Sequence, residues 1–456
     1  MSTNPDEDVA EEEAILVLDV IRNCMIVATS SKRKREAIDH RCLPRSAKRS
    51  FRHDEALHCI RRDYMGIEGD PSTPLFAGSE FQAMFRISRP RFQRMLEEFA
   101  KSGIPFYTPP FVDLFGKPGA SLEARLLLPI KCLSFGVPPK AFSDYFQMSP
   151  TLAKDCYNNF NQVLTGLHKA EYLRVPTQAD LKAINRLHRN VHGVHGMFGS
   201  LDCMHTYWNK CPKAWQGSFK GKGDKPSTVL EGLSDHHLWL WHNSCGCAGT
   251  LNDANIMNLS PLFESLLNGK FEELEQVVCP HSLGGETFDK LCILVDGIHP
   301  RHSRFVKGMK EPVTMEEKTL TAFQEAARKD VERAFGVLQS KFQALARPIL
   351  LMDLQQIANL CSACVILHNM CVSDRVMGNV EAHYNPAHSI DPEEEESIEC
   401  SEEFKKKRKR AIAPIGIRNA DPCVQKMLRR KERWKELIDL EEYQRLHAAL
   451  TRELLS

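Results

Sequence analysis

Three acidic residues stand at positions from which they can share divalent cations. Asp202 lies near the end of a strand-like segment, Met197 to Cys203, and Asp296 follows the compact apolar segment Lys290 to Val295. Glu332 lies within a long helical pattern. Carboxylates that converge repel one another, and Mg²⁺ or Mn²⁺, which prefer oxygen ligands, relieve that repulsion. The pattern therefore predicts a site where two cations act on the attacking and leaving oxygens of a phosphodiester.

The neighbours of Glu332 favour a place at the edge of a packed helix face. Val331, Phe335, Leu338 and Phe342 form an apolar stripe at spacings of three and four residues. Glu332 is one position off this stripe, so its carboxylate can reach across to a sheet. Spacing alone leaves other interpretations open, because an aspartate after a strand is often a turn or cap residue and a helical glutamate usually faces solvent.

The segments around these carboxylates predict an α/β fold in which a mixed sheet is flanked by helices. In such sheets, side chains that do chemistry collect at strand ends. The further elements are strands at Thr228 to Ser234 and Leu238 to Cys245, paired around Asp235-His236, and helices from Asn252-Asp253 towards Leu267, from Leu320 to Phe342 and from Leu354 to Val372.

The preceding part of the chain, from Ser79 to Leu173, has helical periodicity. Its outline is a helix, a short helix, a tight turn and a helix, which is typical of a helix-turn-helix. Lys154 and Asn158 on the last helix are predicted to contact DNA, although a helical bundle that only packs has the same outline. The three segments are Ser121 to Gly136, Pro139 to Phe146, and Ser149-Pro150 to about Leu164.

Composition limits the class of protein without identifying a partner. The 456 residues carry a formal net charge of +1, so a nucleic-acid interface must rest on local charge. The 16 cysteines are not preceded by a signal peptide, which favours an intracellular chain with reduced thiols. No stretch was expected to approach the ~20 apolar residues of a membrane span.

Charge runs mark both ends of the chain. Lys32 to Arg35 and Lys405 to Arg410 fit a nuclear address or a phosphate-contacting arm, and equally a solvated tail. The predicted division is a charged, largely disordered tail at 1–75, a helical helix-turn-helix-like region at 76–190, the sheet domain at 191–375, and a charged tail with a basic helical segment at 376–456.

Several motifs resemble those of the Harbinger (plant-transposon) transposases, in the family's order from about Phe81 to Met370. They are Gly199–His205 with Trp208, Cys211-Pro212 and Ala214-Trp215; Leu230-Glu231; Leu238–His242; Gly249–Asp253; Asp296–Pro300; Arg328–Gln339; and Cys364–Met370. His299 stands where the family usually has an aromatic residue.

The resemblance implies a ribonuclease-H-like core in which Asp202, Asp296 and Glu332 are the catalytic and metal-binding residues. Asp253 also belongs to a family motif, as an accessory ligand or a helix cap. The implied activity is that of a metal-dependent DNA transposase: cleavage at transposon ends and joining of the 3′-hydroxyl to target DNA, at a short A/T-rich site.

The family also implies partners and a location. They are DNA, a separate Myb-like DNA-binding protein, further copies of the chain, and the nucleus; no membrane and no nucleotide cofactor are expected, since a phosphate-binding loop is missing. Lysines of the Gly-rich loop after the first strand would neutralise phosphates, or form a flexible solvated loop. They are Lys210, Lys213, Lys220, Lys222 and Lys225.

Two alternatives to an active transposase are a domesticated nuclear protein that binds DNA or protein without transposing, and a nuclease that cuts but does not join strands. One further signal, the zinc-like spacing of Cys361, Cys364, His368 and Cys371, is interpreted as core packing because all four lie in one apolar helix.

Overall fold

The computed structural model describes residues 50–112, 116–221, 223–267, 270–377 and 440–455. The basic runs predicted near both termini, Lys32 to Arg35 and Lys405 to Arg410, lie outside these residues. Lys222 of the lysine-rich loop also lies outside them.

The first part of the described chain is helical, as the periodicity predicted. Its helices are α1 (His53–Ile60, continued by a π-helical turn at Arg61–Met65), α2 (Gly78–Phe85), α3 (Arg89–Lys101), α4 (Leu122–Phe135), a 3₁₀ turn at Pro139–Phe142, α5 (Pro150–Tyr172) and α6 (Gln178–His192).

The helix starts and stops follow local chemistry. The Ser121 side chain accepts a hydrogen bond from the backbone N–H of Ala124, and Ser149 does the same for Leu152, so both predicted serine caps are present. Gly136 ends α4 with a φ of 63°, a conformation that glycine adopts without strain. A Cβ atom there would also lie 2.6 Å from the carbonyl oxygen of Gln343.

The predicted limit of the N-terminal tail at residue 75 is too late, because α1 already begins at His53. Ile60 and Tyr64 are buried in the core. The Tyr64 ring meets the edge of Phe85 with centroids 5.1 Å apart. A few apolar side chains within a charged segment thus join the core, which the composition did not indicate.

Five strands of the described chain form one mixed sheet in the order β3-β2-β1-β6-β7. β1 pairs antiparallel with β2, which pairs antiparallel with β3, whereas β6 and β7 run parallel to β1. The predicted mixed sheet and its hairpin are thus present. The strands are β1 (Met197–Tyr207), β2 (Ser227–Ser234), β3 (Leu240–Ala248), β6 (Cys292–Leu294) and β7 (Phe305–Val306), with β4 (His281–Leu283) and β5 (Glu286–Phe288) in a separate hairpin.

Short helices connect these strands, and two long ones pack on the sheet. The short ones are α7 (Gln216–Phe219), α8 (Asp253–Leu259), α9 (Pro261–Leu267), α10 (Lys270–Glu275) and α12 (Gln343–Ala346); the long ones are α11 (Met315–Lys341) and α13 (Leu354–Met377); α14 (Leu440–Leu455) is the last described.

The helix α13 joins the sheet to the helical region. Asn369 accepts a hydrogen bond from the backbone N–H of Leu240 at 3.0 Å and donates to the carbonyl oxygen of Tyr172 at 2.7 Å. One apolar core therefore continues across the predicted boundary at residue 190. The boundary itself stays a prediction.

One finding differs from the expected absence of a membrane-length stretch. Within the described residues, Leu354–Val376 is long and apolar enough to cross a bilayer by length and composition. However, 78% of the apolar window is buried inside the protein. This burial is typical of a core helix in a soluble fold, and the helix is weak evidence for a span.

The C-terminal helix α14 covers a second, smaller core. Leu446, Ala449 and Leu450 are buried there with Leu283 and Phe288 of the β4–β5 hairpin. Glu453 accepts a hydrogen bond from the backbone N–H of Gly284 at 2.7 Å. The described part of the segment expected to be helical at this end, Leu440–Leu455, is a helix and packs in this core.

Leu450→Ala should lower the free energy of unfolding by about 2–5 kcal/mol, since it removes a fully buried side chain from this small core. Leu455→Ala is the matched control on the same helix, because Leu455 is 53% exposed, and its effect should stay within about 0.5 kcal/mol. Urea unfolding of both variants measures the difference. Equal midpoints would show that α14 does not pack in this way.

His368 is a neutral histidine inside α13. Its Nε2 donates to the carbonyl oxygen of Leu238 at 2.8 Å, and its buried Nδ1 has no hydrogen-bond partner. A second proton would therefore lie on Nδ1, which is shielded from water and has no acceptor for that proton. Burial accordingly lowers the pKa of His368 to about 4, from an ordinary 6.5.

Because the unfolded chain binds this proton at higher pH, the free energy of unfolding should fall as the pH drops from 6.5 to about 4. His368→Gln keeps a donor for Leu238, and its pH slope should be shallower by up to about 1.4 kcal/mol per pH unit. The exposed His205→Gln is the control. Urea titrations across this range that gave identical slopes for both variants and the parent would contradict the argument.

Candidate active site

Asp202 lies in the middle of β1, where it pairs with Gly232 of β2. The expectation that Asp202 stands near the end of β1 was wrong for the pairing with β2, because β1 continues to Tyr207. On the other side the parallel pairing ends at Ser200 with Leu294. Asp202 is therefore just beyond the last paired residues of β1 and β6, where the sheet opens towards solvent.

The carboxylate of Asp202 is held by two donors. The backbone N–H of Cys203 donates at 2.8 Å, and Nη1 of Arg328 donates at 3.1 Å. Burial raises the pKa of Asp202, and the negative charges of Asp253 and Glu332 raise it further, against the lowering by Cys203 N–H and Arg328. The site thus concentrates negative charge around a half-buried carboxylate.

Arg328 joins two of the predicted ligands. Its Nη2 lies 2.7 Å from Oε1 of Glu332, one helical turn further along α11, while its Nη1 contacts Asp202. Both carboxylates thus share a single positive group, although they are 130 residues apart in the chain. The Arg328 guanidinium thus supplies positive charge between two carboxylates that would otherwise repel each other.

Asp253 is closer to Asp202 than the sequence indicated. The Cys203 thiol donates a hydrogen bond to Asp253, and Asp253 acts electrostatically on Asp202. The cap of α8 is Asn252, whose side chain accepts from the backbone N–H of Asn255 at 2.8 Å. The residue that caps this helix is thus Asn252 and not Asp253.

Asp296 is exposed and lies two residues beyond the end of β6. Its Oδ1 accepts from the backbone N–H of Gly297 at 2.6 Å, and its carbonyl oxygen accepts from the N–H of His299 at 3.1 Å. Lys307 braces this turn by donating to the carbonyl oxygens of Gly297 and His299.

His299 connects Asp296 to the other carboxylates. Burial lowers its pKa, while Asp253, Asp296 and Glu231 oppose that shift. Asp253 therefore interacts electrostatically with both Asp202 and His299. In the part of the chain that the structure describes, no three of Asp202, Asp253, Asp296 and Glu332 bring ligand atoms within 4.8 Å of one another.

Two groups at this site were missed by the sequence reasoning. Arg328 was not predicted to contact the carboxylates, although an arginine four residues before a glutamate on a helix favours an ion pair between them. Glu231 is almost fully buried on β2 and pairs with His242 at 2.9 Å. A single acidic residue inside an otherwise apolar strand was its signal.

The lysine-rich loop leaves the sheet at the far end of β1. Tyr207 is five positions after Asp202, which is about 17 Å along a strand. Lys220 is paired with Asp224 at 2.9 Å. Trp208 is buried against Trp215 and Phe219 and therefore packs in the core. The exposed described lysines of the loop are Lys210, Lys213, Lys220 and Lys225.

The helix, short turn and helix expected between Ser121 and Leu164 are present as α4, the 3₁₀ turn and α5, but α5 is also part of the core. On α5, Lys154 is exposed, whereas Asn158 is half-buried and its Oδ1 has no hydrogen-bond partner. Ala153, Tyr157 and Phe160 on the same helix are buried. Only a narrow face of α5 thus remains for DNA.

Residues 170–378 match the family model described as plant transposon protein, which confirms the family resemblance seen in the motifs. The matched range contains the whole five-stranded sheet, α11 and α13. Searches among curated proteins and solved structures gave no match. A match to a transposon-related family indicates a transposase-like function.

Proposed function

We propose that this chain, whose residues 170–378 carry the plant transposon match, is a metal-dependent DDE transposase. It would cleave phosphodiester bonds at transposon ends and join the freed 3′-hydroxyl to target DNA. The observation that carries the proposal is the pairing of Asp202 and Glu332, from β1 and α11, around one cationic group. A purely structural helix–sheet contact does not need two carboxylates at this position.

The donor set fits Mg²⁺ or Mn²⁺. Asp202, Asp296 and Glu332 would hold the ions, with Asp253 as a further ligand, and all four supply oxygen donors. When bound, the ions would stabilise negative charge on the scissile phosphate and activate the attacking oxygen. Without cations, carboxylates repel one another, which would explain why no three of these four carboxylates lie within 4.8 Å of one another among the described residues.

The chain's own groups prepare this site. The Cys203 N–H orients the Asp202 carboxylate, and the Cys203 thiol orients Asp253. Lys307 fixes the turn that carries Asp296. Arg328 bridges Asp202 and Glu332, and its guanidinium would turn to a DNA phosphate once another cation takes its place.

The remaining expectations fit this proposal and stay part of it. The five-stranded sheet, three antiparallel strands followed by two parallel ones, is compatible with a ribonuclease-H-like core. The helical region at 76–190 would contribute to DNA binding, and the domain limit at 190 would separate binding from chemistry. A Myb-like protein, further copies of this chain, and a nuclear location complete the proposed setting.

One observation favours the alternative of a domesticated protein that binds without transposing. The Asp296 carboxylate is exposed and accepts a hydrogen bond from the N–H of Gly297 in its own turn. If cations do not draw Asp296 inwards, the chain keeps a transposase fold without its chemistry. A cleavage assay separates the two functions.

Asp202→Asn should lower metal-dependent cleavage by more than about 100-fold, because loss of a ligand costs more than the 10–100-fold typical of groups behind the ligands. The substrate is DNA carrying the element's own ends, assayed with Mg²⁺ or Mn²⁺, with and without a Myb-like partner. Glu332→Gln should behave alike. Glu325→Gln, an exposed residue of the same helix, is the matched control.

DNA binding by Asp202→Asn should remain close to that of the parent, measured by fluorescence anisotropy. Cleavage at the parent's rate by Asp202→Asn would remove this residue from the site. No cleavage by the parent under any of these conditions, with DNA binding intact, would favour the domesticated protein.

Replacement of Lys210, Lys213 and Lys225 by alanine should weaken DNA binding and flatten its salt dependence. The slope of log K against log salt should fall by about 0.9 for each lysine that contacts a duplex phosphate. Lys220→Ala is the control within the same loop, because Asp224 already offsets its charge. A salt titration with unchanged slope in the triple variant would show that the loop is only solvated.

A further inference from the structure

A second group of metal-ligand side chains lies on α11, away from the proposed catalytic carboxylates. His192 ends α6, His236 lies in the turn between β2 and β3, and Asp330 is buried on α11. Ligand atoms of all three lie within 4.8 Å of one another. Nε2 of His192 is 3.2 Å from Oδ2 of Asp330, and Nδ1 of His236 is 3.0 Å from the same oxygen.

These distances fit the edges of a small coordination tetrahedron. Zinc binds histidine nitrogen and carboxylate oxygen at about 2.0–2.1 Å, so two ligand atoms of a tetrahedral site lie about 3.3 Å apart. Hydrogen bonds have similar lengths, so the distances alone do not decide between an ion and an ion pair. What favours an ion is that ligand atoms of two histidines and one aspartate converge at one point.

Arg333 is the cation with which an ion would share this site. Its Nη2 pairs with Oδ1 of Asp330 and lies 3.3 Å from Nδ1 of His236. Nδ1 of His236 in turn lies 3.0 Å from Oδ2 of Asp330. An ion bound to Oδ2 would take the lone pair of that nitrogen in place of this hydrogen bond. Arg333 is half exposed, and an ion on Oδ2 leaves Oδ1 of Asp330 accessible to it.

The surrounding contacts place the ligands before any ion binds. The backbone N–H of His236 donates to Nε2 of His188 at 3.2 Å. Nδ1 of His188 then donates to the carbonyl oxygen of Met197, 2.9 Å away at the start of β1. The rings of His192 and His236 meet edge to face, with centroids 5.3 Å apart. The turn that carries His236 is thus fixed against both α6 and β1.

The ligand chemistry differs from that of the catalytic carboxylates. Two imidazoles and one carboxylate suit Zn²⁺, Co²⁺ or Fe²⁺, whereas Mg²⁺ prefers oxygen ligands and keeps its waters. The location differs as well. Side chains advance by about 100° per residue along a helix, so Asp330 and Glu332 flank the buried stripe of α11 on opposite sides.

We propose that His192, His236 and Asp330 form a structural site for a divalent transition-metal ion of the zinc class, with a solvent water as fourth ligand. The ion would join α6, the β2–β3 turn and α11, and so fix the rotation of the helix that presents Arg328 and Glu332. This site does not depend on whether the chain transposes DNA.

The test uses the full chain, stripped of metal by a chelator and titrated with Co²⁺. We expect a tetrahedral-type visible absorption that saturates at one Co²⁺ per chain, is displaced by Zn²⁺ and is unaffected by millimolar Mg²⁺. Zn²⁺ should also raise the melting temperature of the parent by several degrees. Absence of a saturating Co²⁺ signal in the parent would overturn the proposal.

Variants locate the ion. His236→Gln, in a partly exposed turn, should weaken Co²⁺ binding by more than about 100-fold and abolish the melting shift, because it removes a ligand. His205→Gln, an exposed histidine of β1, is the matched control and should bind as the parent does. Parent-like binding by His236→Gln would overturn the assignment.

Arg333→Gln is expected to change Co²⁺ affinity in the opposite direction from His236→Gln. This test therefore holds even if His236→Gln fails to fold. Removal of the competing guanidinium should tighten Co²⁺ binding several-fold, while weaker binding would contradict an ion at this position. Asp202→Asn should bind Co²⁺ as the parent does. Loss of the signal in Asp202→Asn alone would place the ion among the catalytic carboxylates instead, and would leave the proposed transposase function standing.

Discussion

The close packing of α11 on the central strands is the contact on which the rest of the structure depends. The helix can approach the sheet because β2 has Gly232 at the crossing, where a Cβ atom would lie 2.8 Å from the ring of Phe335. The Ser200 hydroxyl donates to the carbonyl oxygen of Ala327 at 3.2 Å, which ties β1 to the same helix. Since this buried stripe fixes the rotation of α11, it also fixes the directions of the charged side chains at both of its edges.

Burial at an edge explains why these charges can serve a function. A carboxylate in the middle of the stripe would lose its hydration without a partner, at a cost that folding does not tolerate. At the edge, Glu332 remains 46% exposed and still reaches the guanidinium that contacts Asp202. The site is thus dry enough to strengthen electrostatic interactions and open enough to admit a polyanion such as DNA.

The sequence predicted the elements of this site better than their connections. Strand and helix periods, serine caps and the apolar stripe of α11 were all readable, because each depends on residues that are close in the chain. The extension of β1 to Tyr207 was not, since its last residues are polar and are held by pairing with Ser227 and its neighbours in β2. The contact of Arg328 with Asp202 spans 126 residues and leaves no local pattern.

The same limit applies to the parts of the fold that pack over long separations. The docking of α14 includes a hydrogen bond between Gly284 and Glu453, which are 169 residues apart, so the sequence predicted a helical segment without indicating where it packs. The role of Asp253 was undecided for a similar reason. Its relation to Asp202 is made through the Cys203 thiol, and a cysteine in a strand gives no sign of the carboxylate that it will face.

The two proposed cation sites on α11 need not compete for the same ion. Oxygen ligands around Asp202 bind hard cations that retain water, whereas imidazole nitrogens at His192 and His236 hold zinc-class ions more tightly at a given concentration. A zinc-class ion at Asp330 would moreover be bound on the far side of the buried stripe, so its charge would add little to the field at Glu332. One helix can in this way be held by one kind of ion while it presents a carboxylate to another, because its packing keeps the two edges apart.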